Sequence, residues 1–490
     1  MNVLFAASEA APFAKTGGLA DVIGSLPKEL KKQGIDVRVI LPKYADMPEM
    51  WKARLTDVES FTVRLGWREQ YCGIQQLEHE GVTFYFVDNE WYFGRPGLYG
   101  YGDDAERFGF FSKAVLEALP RLGFKPDWIH CHDWQTGMIP VLLKAQFQLG
   151  EWYQGILTMM TIHNLKYQGV FATERMKDLF LLGDEYFSGT TLEQHGGGSF
   201  LKGGLQFADV LTTVSRSYAE EIQTAYFGEY LDGLLRHRSG DLHGIVNGID
   251  YESFDPMTDP HLEVNYRDSL PKKLQSKLKL QEELGLPQDG DVPVISMVTR
   301  LVQQKGLDLV RHVISELLSM DVQFVILGTG EHEYEELFRW AAREYPNKLS
   351  AQIRFDDGLS RRVYAGSDLF LMPSQFEPCG IGQLIALRYR TVPIVRETGG
   401  LRDTVQPYNE FTGDGTGFTF ANYNAHDMLH TVRRAVYFYR NDRDAWAQLH
   451  KNIKKLDFSW RKSAQQYIGL YRSRSSIEQP RFEAAAALSE

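Results

Sequence analysis

Short apolar runs of strand length recur along this chain, with segments of helical spacing between them. That alternation points to parallel sheet joined by helical crossovers. The first run covers residues 2–7. A small-residue loop then leads to Gly17 and Gly18, after which Leu19, Val22, Ile23, Leu26 and Leu30 fall at helical spacing. Gly34 supplies a stop before the next strand, expected at 35–41, while Pro27 inside the helical pattern predicts a kink or an early break. Further strands are expected at 84–87, 128–131, 157–162 and 210–214. A second series is expected at 294–298, 322–327, 351–355, 369–372 and 392–395.

Residues 251–291 separate the two series; they carry Pro256, Pro260, Pro271 and Pro287, much charge and no strand pattern. The domain junction is therefore placed near 244–260. With 490 residues the chain is too long for one ordinary core. The expected class is α/β, with two Rossmann-like parallel-sheet domains facing across a cleft.

Composition narrows the functional classes. Lys and Arg number 53 against 64 Asp and Glu, a formal net charge of −11, so no nucleic-acid partner is expected. The three cysteines, Cys72, Cys131 and Cys379, are too few and too scattered for a disulfide framework or a zinc site. The start, MNVLFAASEAAP, lacks the features of a secretory leader, and no run reaches the ~18 apolar residues of a membrane span. A cytoplasmic location and no membrane partner are expected.

In open parallel sheets ligands bind beyond the carboxyl ends of the strands, and the chemically capable residues fall at those places. His132 and Asp133 follow one expected strand, His163 and Asn164 another, Arg300 and Lys305 a third; Gly328 and Gly330 end a fourth, and Glu377 follows a fifth. KTGGLADV at 15–22 is nearly repeated as ETGGLRDTV at 397–405, each copy after a strand and before a helix. The expectation is two analogous domains, each offering a glycine loop whose N–H groups approach an anion, phosphate by default. Neither copy matches the dinucleotide or Walker spacing, so NAD and ATP-hydrolysis readings lack support.

Arg300 and Lys305 suit a diphosphate that gains charge as it leaves, or are solvated loop cations. PSQFEPCGIGQL places Glu377 just ahead of a helix expected to start at Gly380, whose N–H groups from 380 to 383 suit a phosphate oxygen. Glu377 then faces a sugar, or it serves the helix dipole. His163 hydrogen-bonds a ligand hydroxyl or caps its strand. His130 and His132 share a strand face but lack a third ligand at metal spacing, so no metal is expected. The aromatic run 91–111 stacks on sugar rings or folds onto its own core.

Taken together, KTGGLADV, HDWQTG, TIHNLKYQG, NGID, TRLVQQKGLDLV, PSQFEPCG and ETGGLRDTV resemble the bacterial glycogen synthases and plant starch synthases, over residues 1 to about 472. That resemblance implies a GT-B glycosyltransferase moving glucose from ADP-glucose to the non-reducing 4-hydroxyl of an α-1,4-glucan such as glycogen, with retention at the anomeric carbon and no cofactor or metal. Lys15 and Gly18 would meet the donor's phosphate or glucose, His163 a glucose hydroxyl, and Arg300 and Lys305 the diphosphate. Glu377 would be the carboxylate on the glucose side, with the backbone of Cys379, Gly380, Ile381 and Gly382 at the β-phosphate. Asp21, Asp133, Asn164 and Asn247 would be further sugar or acceptor contacts, Gly328 would line the donor site, and Phe355 would stack on adenine.

The implied domains are 1–243 on the acceptor and sugar side, 244–456 on the nucleotide side, a helix over 457–478 crossing back, and a tail over 479–490. The chain departs from the family in having Ile385 where many retaining relatives carry a second glutamate, Gly382 where many synthases carry threonine, and Gln375 where many carry arginine. Related readings left open are a UDP-glucose enzyme, a sugar-nucleotide epimerase and a non-catalytic glucan-binding protein. Oligomeric state is not set by these motifs.

Overall fold

The computed structural model describes residues 1–475, and the proposed tail together with the end of the expected last helix lies outside the described residues. The chain forms two compact units. One comprises residues 1–214, 219–248 and the chain from 460 onward; the other comprises 215–218 and 249–459. Among the described residues no helix is long and apolar enough to cross a membrane.

The first unit is built on β1 (Asn2–Ala6), β2 (Asp36–Pro42), β3 (Thr56–Leu65), β4 (Arg68–His79), β5 (Val82–Asp88), β6 (Trp128–His132) and β7 (Leu157–Ile162). A small separate sheet holds β8 (Val170–Ala172), β9 (Glu193–Gln194) and β10 (Gly197–Ser199); β11 (Val210–Thr213) and β12 (Leu242–Gly244) then rejoin the main sheet. The main order is β12-β11-β7-β6-β1-β2-β5-β4-β3. The alternation predicts a parallel sheet, but this one is mixed: β4 pairs antiparallel with both β3 and β5. A two-residue turn, Gly66 and Trp67, links β3 to β4, and Gly66 has a φ of 60° there, as hairpin turns require. Polar alternation in both strands hides this hairpin from a search for buried runs.

The helix Gly18–Lys32 runs unbroken through Pro27, which is buried within it, so no break occurs there. Its face of Leu19, Val22, Ile23, Leu26 and Leu30 packs against β1, β2 and the last helix, Trp460–Ser475. Trp460, Ala464, Tyr467, Ile468 and Tyr471 of that helix are all buried in this core. Full burial of a large apolar side chain stabilises by about 1.5–3 kcal/mol, so the helix Trp460–Ser475 is an integral part of the first unit.

The second unit carries β13 (Val294–Val298), β14 (Gln323–Leu327), β15 (Leu349–Gln352), β16 (Leu369–Met372), β17 (Val392–Arg396) and β18 (Phe418–Phe420), all parallel, in the order β15-β14-β13-β16-β17-β18. β15 lies earlier than the expected 351–355, which leaves Phe355 in the following loop. The strand order reverses between β1 and β6 in the first sheet and between β13 and β16 in the second, and each reversal opens a crevice at the strands' carboxyl ends.

Candidate active site

In the second unit the crevice lies between the loops that leave β13 and β16. The two loops are laced together: Gln375 N–H donates to the Gln304 carbonyl at 2.9 Å, and the Gln304 amide donates to the Phe376 carbonyl at 3.2 Å. Gly306, at φ 75°, sits so close that a Cβ there would stand 2.0 Å from the Pro373 carbonyl oxygen. The lacing brings Lys305 Nζ to 2.7 Å from Glu377 Oε2, which also accepts the Ser374 hydroxyl at 2.9 Å. The structure therefore pairs two groups that the motif reading assigns to diphosphate and sugar separately. Both are largely buried, and Arg300 is exposed beside them in sequence.

Gly328 and Gly330 hold the Arg300 segment in place. A Cβ at Gly328 would stand 1.8 Å from the Thr299 carbonyl oxygen, and one at Gly330 would stand 2.2 Å from that of Leu301.

The helix after Glu377 begins at Gly382, not Gly380, with Ile381 as its N-cap residue. Gly380 adopts φ 76°, and Gln383 reaches back to donate to the carbonyls of Cys379 and Gly380 at 2.9 and 3.1 Å. Cys379 is buried, and the Ser215 hydroxyl donates to the Pro378 carbonyl at 2.6 Å. This short loop is thus fixed from several sides.

The second copy of the glycine motif does not offer an open anion loop. Gly400 N–H donates to the Glu377 carbonyl at 3.0 Å; added Cβ atoms would meet the Glu377 carbonyl oxygen at 1.9 Å from Gly399 and that of Cys379 at 2.1 Å from Gly400. These glycines let the 399–400 backbone press against the Glu377 loop. The first copy is different: Gly17 has extended backbone, and nothing lies within 4 Å of a Cβ built there.

In the first unit Lys15 Nζ pairs with Asp21 Oδ1 at 2.6 Å, near the start of the helix opened by Gly18. Asp133 follows β6 with a left-handed φ of 58°, and its Oδ1 accepts the backbone N–H groups of His163 at 2.7 Å and Asn164 at 3.4 Å. Burial pushes the Asp133 carboxyl up to about 7, against the pull of those two N–H donors. His163 Nε2 lies 2.9 Å from His132 Nδ1, and the His132 ring stacks on that of His130 at 4.2 Å. Burial holds all three imidazoles below their usual range, His163 at about 3. Asn247 is buried with its side-chain oxygen unpartnered among the described residues.

Most of the aromatic run 91–111 belongs to the core: Tyr92, Phe93, Phe108, Phe110 and Phe111 are fully buried, while Trp91 is exposed. Phe355 is 84 % exposed, open to a stacking partner. Among the described residues no group of three or more His, Cys, Asp or Glu could hold a metal ion.

Residues 2–237 match the family model of the starch synthase catalytic domain, and residues 281–463 match that of glycosyl transferases group 1. A glycogen synthase of Desulforamulus reducens is 56 % identical over 473 residues, 96 % of this chain and 98 % of that one. The chain belongs to the glycogen synthase and starch synthase family. A glycogen synthase of Bacillus cereus is also 56 % identical, over 96 % of this chain and 99 % of that one. Among solved structures, the catalytic domain of starch synthase IV from Arabidopsis thaliana, bound to ADP and acarbose, superposes with a TM-score of 0.90 at 34 % identity, covering 97 % of this chain and 99 % of that one.

The motif reading names charged and polar side chains and assigns no role to several groups that hold them in place. Ser374 and Gln304 hold the Glu377 loop through hydrogen bonds to the Glu377 carboxylate and the Phe376 carbonyl, and His132, which the sequence reading does name, is paired with His163.

Proposed function

We propose that the chain is a retaining glucosyltransferase that carries glucose from ADP-glucose to the non-reducing 4-hydroxyl of an α-1,4-glucan, acting in the cytoplasm without metal or cofactor. The observation that carries this reading is the buried Lys305–Glu377 pair at the β13/β16 switch point. One cation beside one carboxylate suits a sugar diphosphate, whose leaving group lies next to its sugar. Membership of the family supports the donor and acceptor classes.

A retaining glycosidase uses two carboxylates about 5 Å apart, one of them a nucleophile. Glu377 is the carboxylate that the resemblance assigns to the glucose side of the reacting bond, and Ile385 occupies the place of a second. A front-face displacement fits this better. The bond from C1 to the phosphate oxygen stretches, the acceptor oxygen forms its bond on the same face, and a leaving phosphate oxygen takes the acceptor's proton. Arg300 and Lys305 stabilise the charge that develops on the departing ADP, and backbone N–H groups over 380–383 share that task. Glu377 is the negative group nearest the developing oxocarbenium. In the first unit His163 and Asn164, held by Asp133, orient the glucose, and the Lys15–Asp21 pair serves the donor.

The test is incorporation of radiolabelled glucose into a glycogen primer from ADP-glucose and from UDP-glucose, with nucleotide release measured alongside. Polymer label with stoichiometric ADP release supports the proposal. Label from UDP-glucose alone would move the donor assignment, and binding of glycogen without ADP release would remove the enzymatic one.

A further inference from the structure

Two N–H groups of the first glycine loop, those of Thr16 and Gly17, already have a guest. Glu9, buried just after β1, receives four donors on two oxygens: Oε2 accepts Thr16 N–H at 2.6 Å and Gly17 N–H at 3.2 Å, and Oε1 accepts the hydroxyls of Thr16 and Tyr99, each at 2.6 Å. The Tyr99 hydroxyl is 2.8 Å from Ser8 Oγ, which completes its pairing. On the other side of Lys15, Ala14 N–H donates to the Ala10 carbonyl at 2.9 Å, and Ala10 N–H donates back to Ala14 at 3.0 Å. Both neighbours of Lys15 are therefore pinned, and its side chain leaves from a fixed point to meet Asp21.

We infer that Glu9 is a positioning residue for Lys15: its carboxylate occupies the N–H groups that would otherwise suit a phosphate, and in doing so aims the Lys15 ammonium. The inference rests on the reading that Lys15 contacts the donor. It also redefines the first glycine motif: the N–H groups of Thr16 and Gly17 serve an internal anion while its lysine serves the external one. Geometry, not charge, is what Glu9 supplies. A glutamine in its place can turn its carbonyl to the two N–H groups and its NH2 to the two hydroxyls, whose protons rotate to accept.

The experiment is a kinetic cycle of Glu9→Ala, Glu9→Gln, Lys15→Ala and Glu9→Ala/Lys15→Ala, with donor and glucan varied separately and folding checked by circular dichroism. Glu9→Ala is expected to lower kcat/KM for the donor by about tenfold or more while the KM for glucan stays within about twofold, and Glu9→Gln to recover most of that loss. In the Lys15→Ala background the Glu9→Ala change should cost under about threefold, because contacting residues do not act additively. Full additivity, or Glu9→Gln as damaging as Glu9→Ala, would overturn the inference. Unchanged kinetics in Lys15→Ala alone would instead remove the donor role of Lys15. Should Glu9→Ala fail to fold, Thr16→Val carries the test: a loss in the wild-type background that vanishes beside Lys15→Ala supports the inference, and equal losses in both overturn it.

Discussion

Lys305 Nζ and Glu377 Oε2 stand 2.7 Å apart, each the other's charged partner at the ends of two neighbouring strands. Removing one member leaves the other buried with its charge unopposed, which in proteins costs roughly 3–5 kcal/mol. Lys305→Ala should therefore lower both the melting temperature and kcat, the latter by about 100-fold or more, with the KM for glucan nearly unchanged. In a double-mutant cycle with Glu377→Ala the combined loss should fall well short of the product of the single losses. Steady-state kinetics and calorimetry on the three variants check this, and unchanged turnover in Lys305→Ala would remove the leaving-group argument.

The two glycine motifs predict opposite tolerance to one methyl group. At Gly399 the φ of 45° and the 1.9 Å approach to the Glu377 carbonyl leave no room, so Gly399→Ala must shift the loop that carries the carboxylate. Gly399→Ala should lower kcat by about 10-fold or more. Gly17→Ala, with open space around it, should show a far smaller loss. Side-by-side assays of the two variants decide the matter, and equal losses would refute it.

Asp133 predicts a pH effect whose sign can be stated. Its carboxyl is raised from an ordinary aspartate value to about 7 by burial, so the folded protein holds that proton more tightly than the unfolded chain. The contribution is present below about pH 4 and is lost as pH rises through 7. The buried histidines act the other way over part of this range, since their depressed values take stability away as pH falls below about 6.5. Asp133→Asn keeps an oxygen for the two N–H donors and removes the titration. The difference in melting temperature, variant minus wild type, should therefore rise from pH 5 to pH 8, and a flat difference would refute the assignment.

What could be read in the sequence follows from what kind of signal each feature leaves. Buried parallel strands leave continuous apolar runs, so β7, β13 and β16 are found at their true bounds. The β3–β4 hairpin alternates polar and apolar residues, and the search for runs passes over it. That Arg300, Lys305, Glu377, Asp133 and His163 follow strand ends is legible, and strand ends are where such folds hold ligands. Their partners are not legible. That Lys305 meets Glu377 depends on a loop lacing through Gln304 and Gly306, and that Glu9 fills the first glycine loop depends on a turn of backbone no pattern encodes. The repeat of the glycine motif is real in sequence, yet one copy packs against a neighbouring loop and the other against the Glu9 carboxylate, because a Gly-Gly step serves close approach inside the protein as readily as ligand approach.

The proton positions in the histidine row can be argued from burial. His130 is paired on both nitrogens, with Tyr471 at 2.7 Å and Thr161 at 2.5 Å, and His132 offers Nδ1 to His163 at 2.9 Å while its buried Nε2 has no partner among the described residues. Burial keeps the three rings neutral, so a single proton lies between His132 and His163. A buried N–H without an acceptor is rarer in proteins than an acceptor left short. The His132 proton therefore belongs on Nδ1, which makes it the donor and His163 Nε2 the acceptor. His163 then carries its own proton on Nδ1, free to donate to a sugar oxygen. Nitrogen-15 spectra of histidine-labelled protein, assigned with His163→Asn, should show the Nδ1–H tautomer for His163 and no titration of that ring from pH 5 to 8. An Nε2–H tautomer, or an inflection near 6.5, would reverse the direction of the bond and take the donor role from His163.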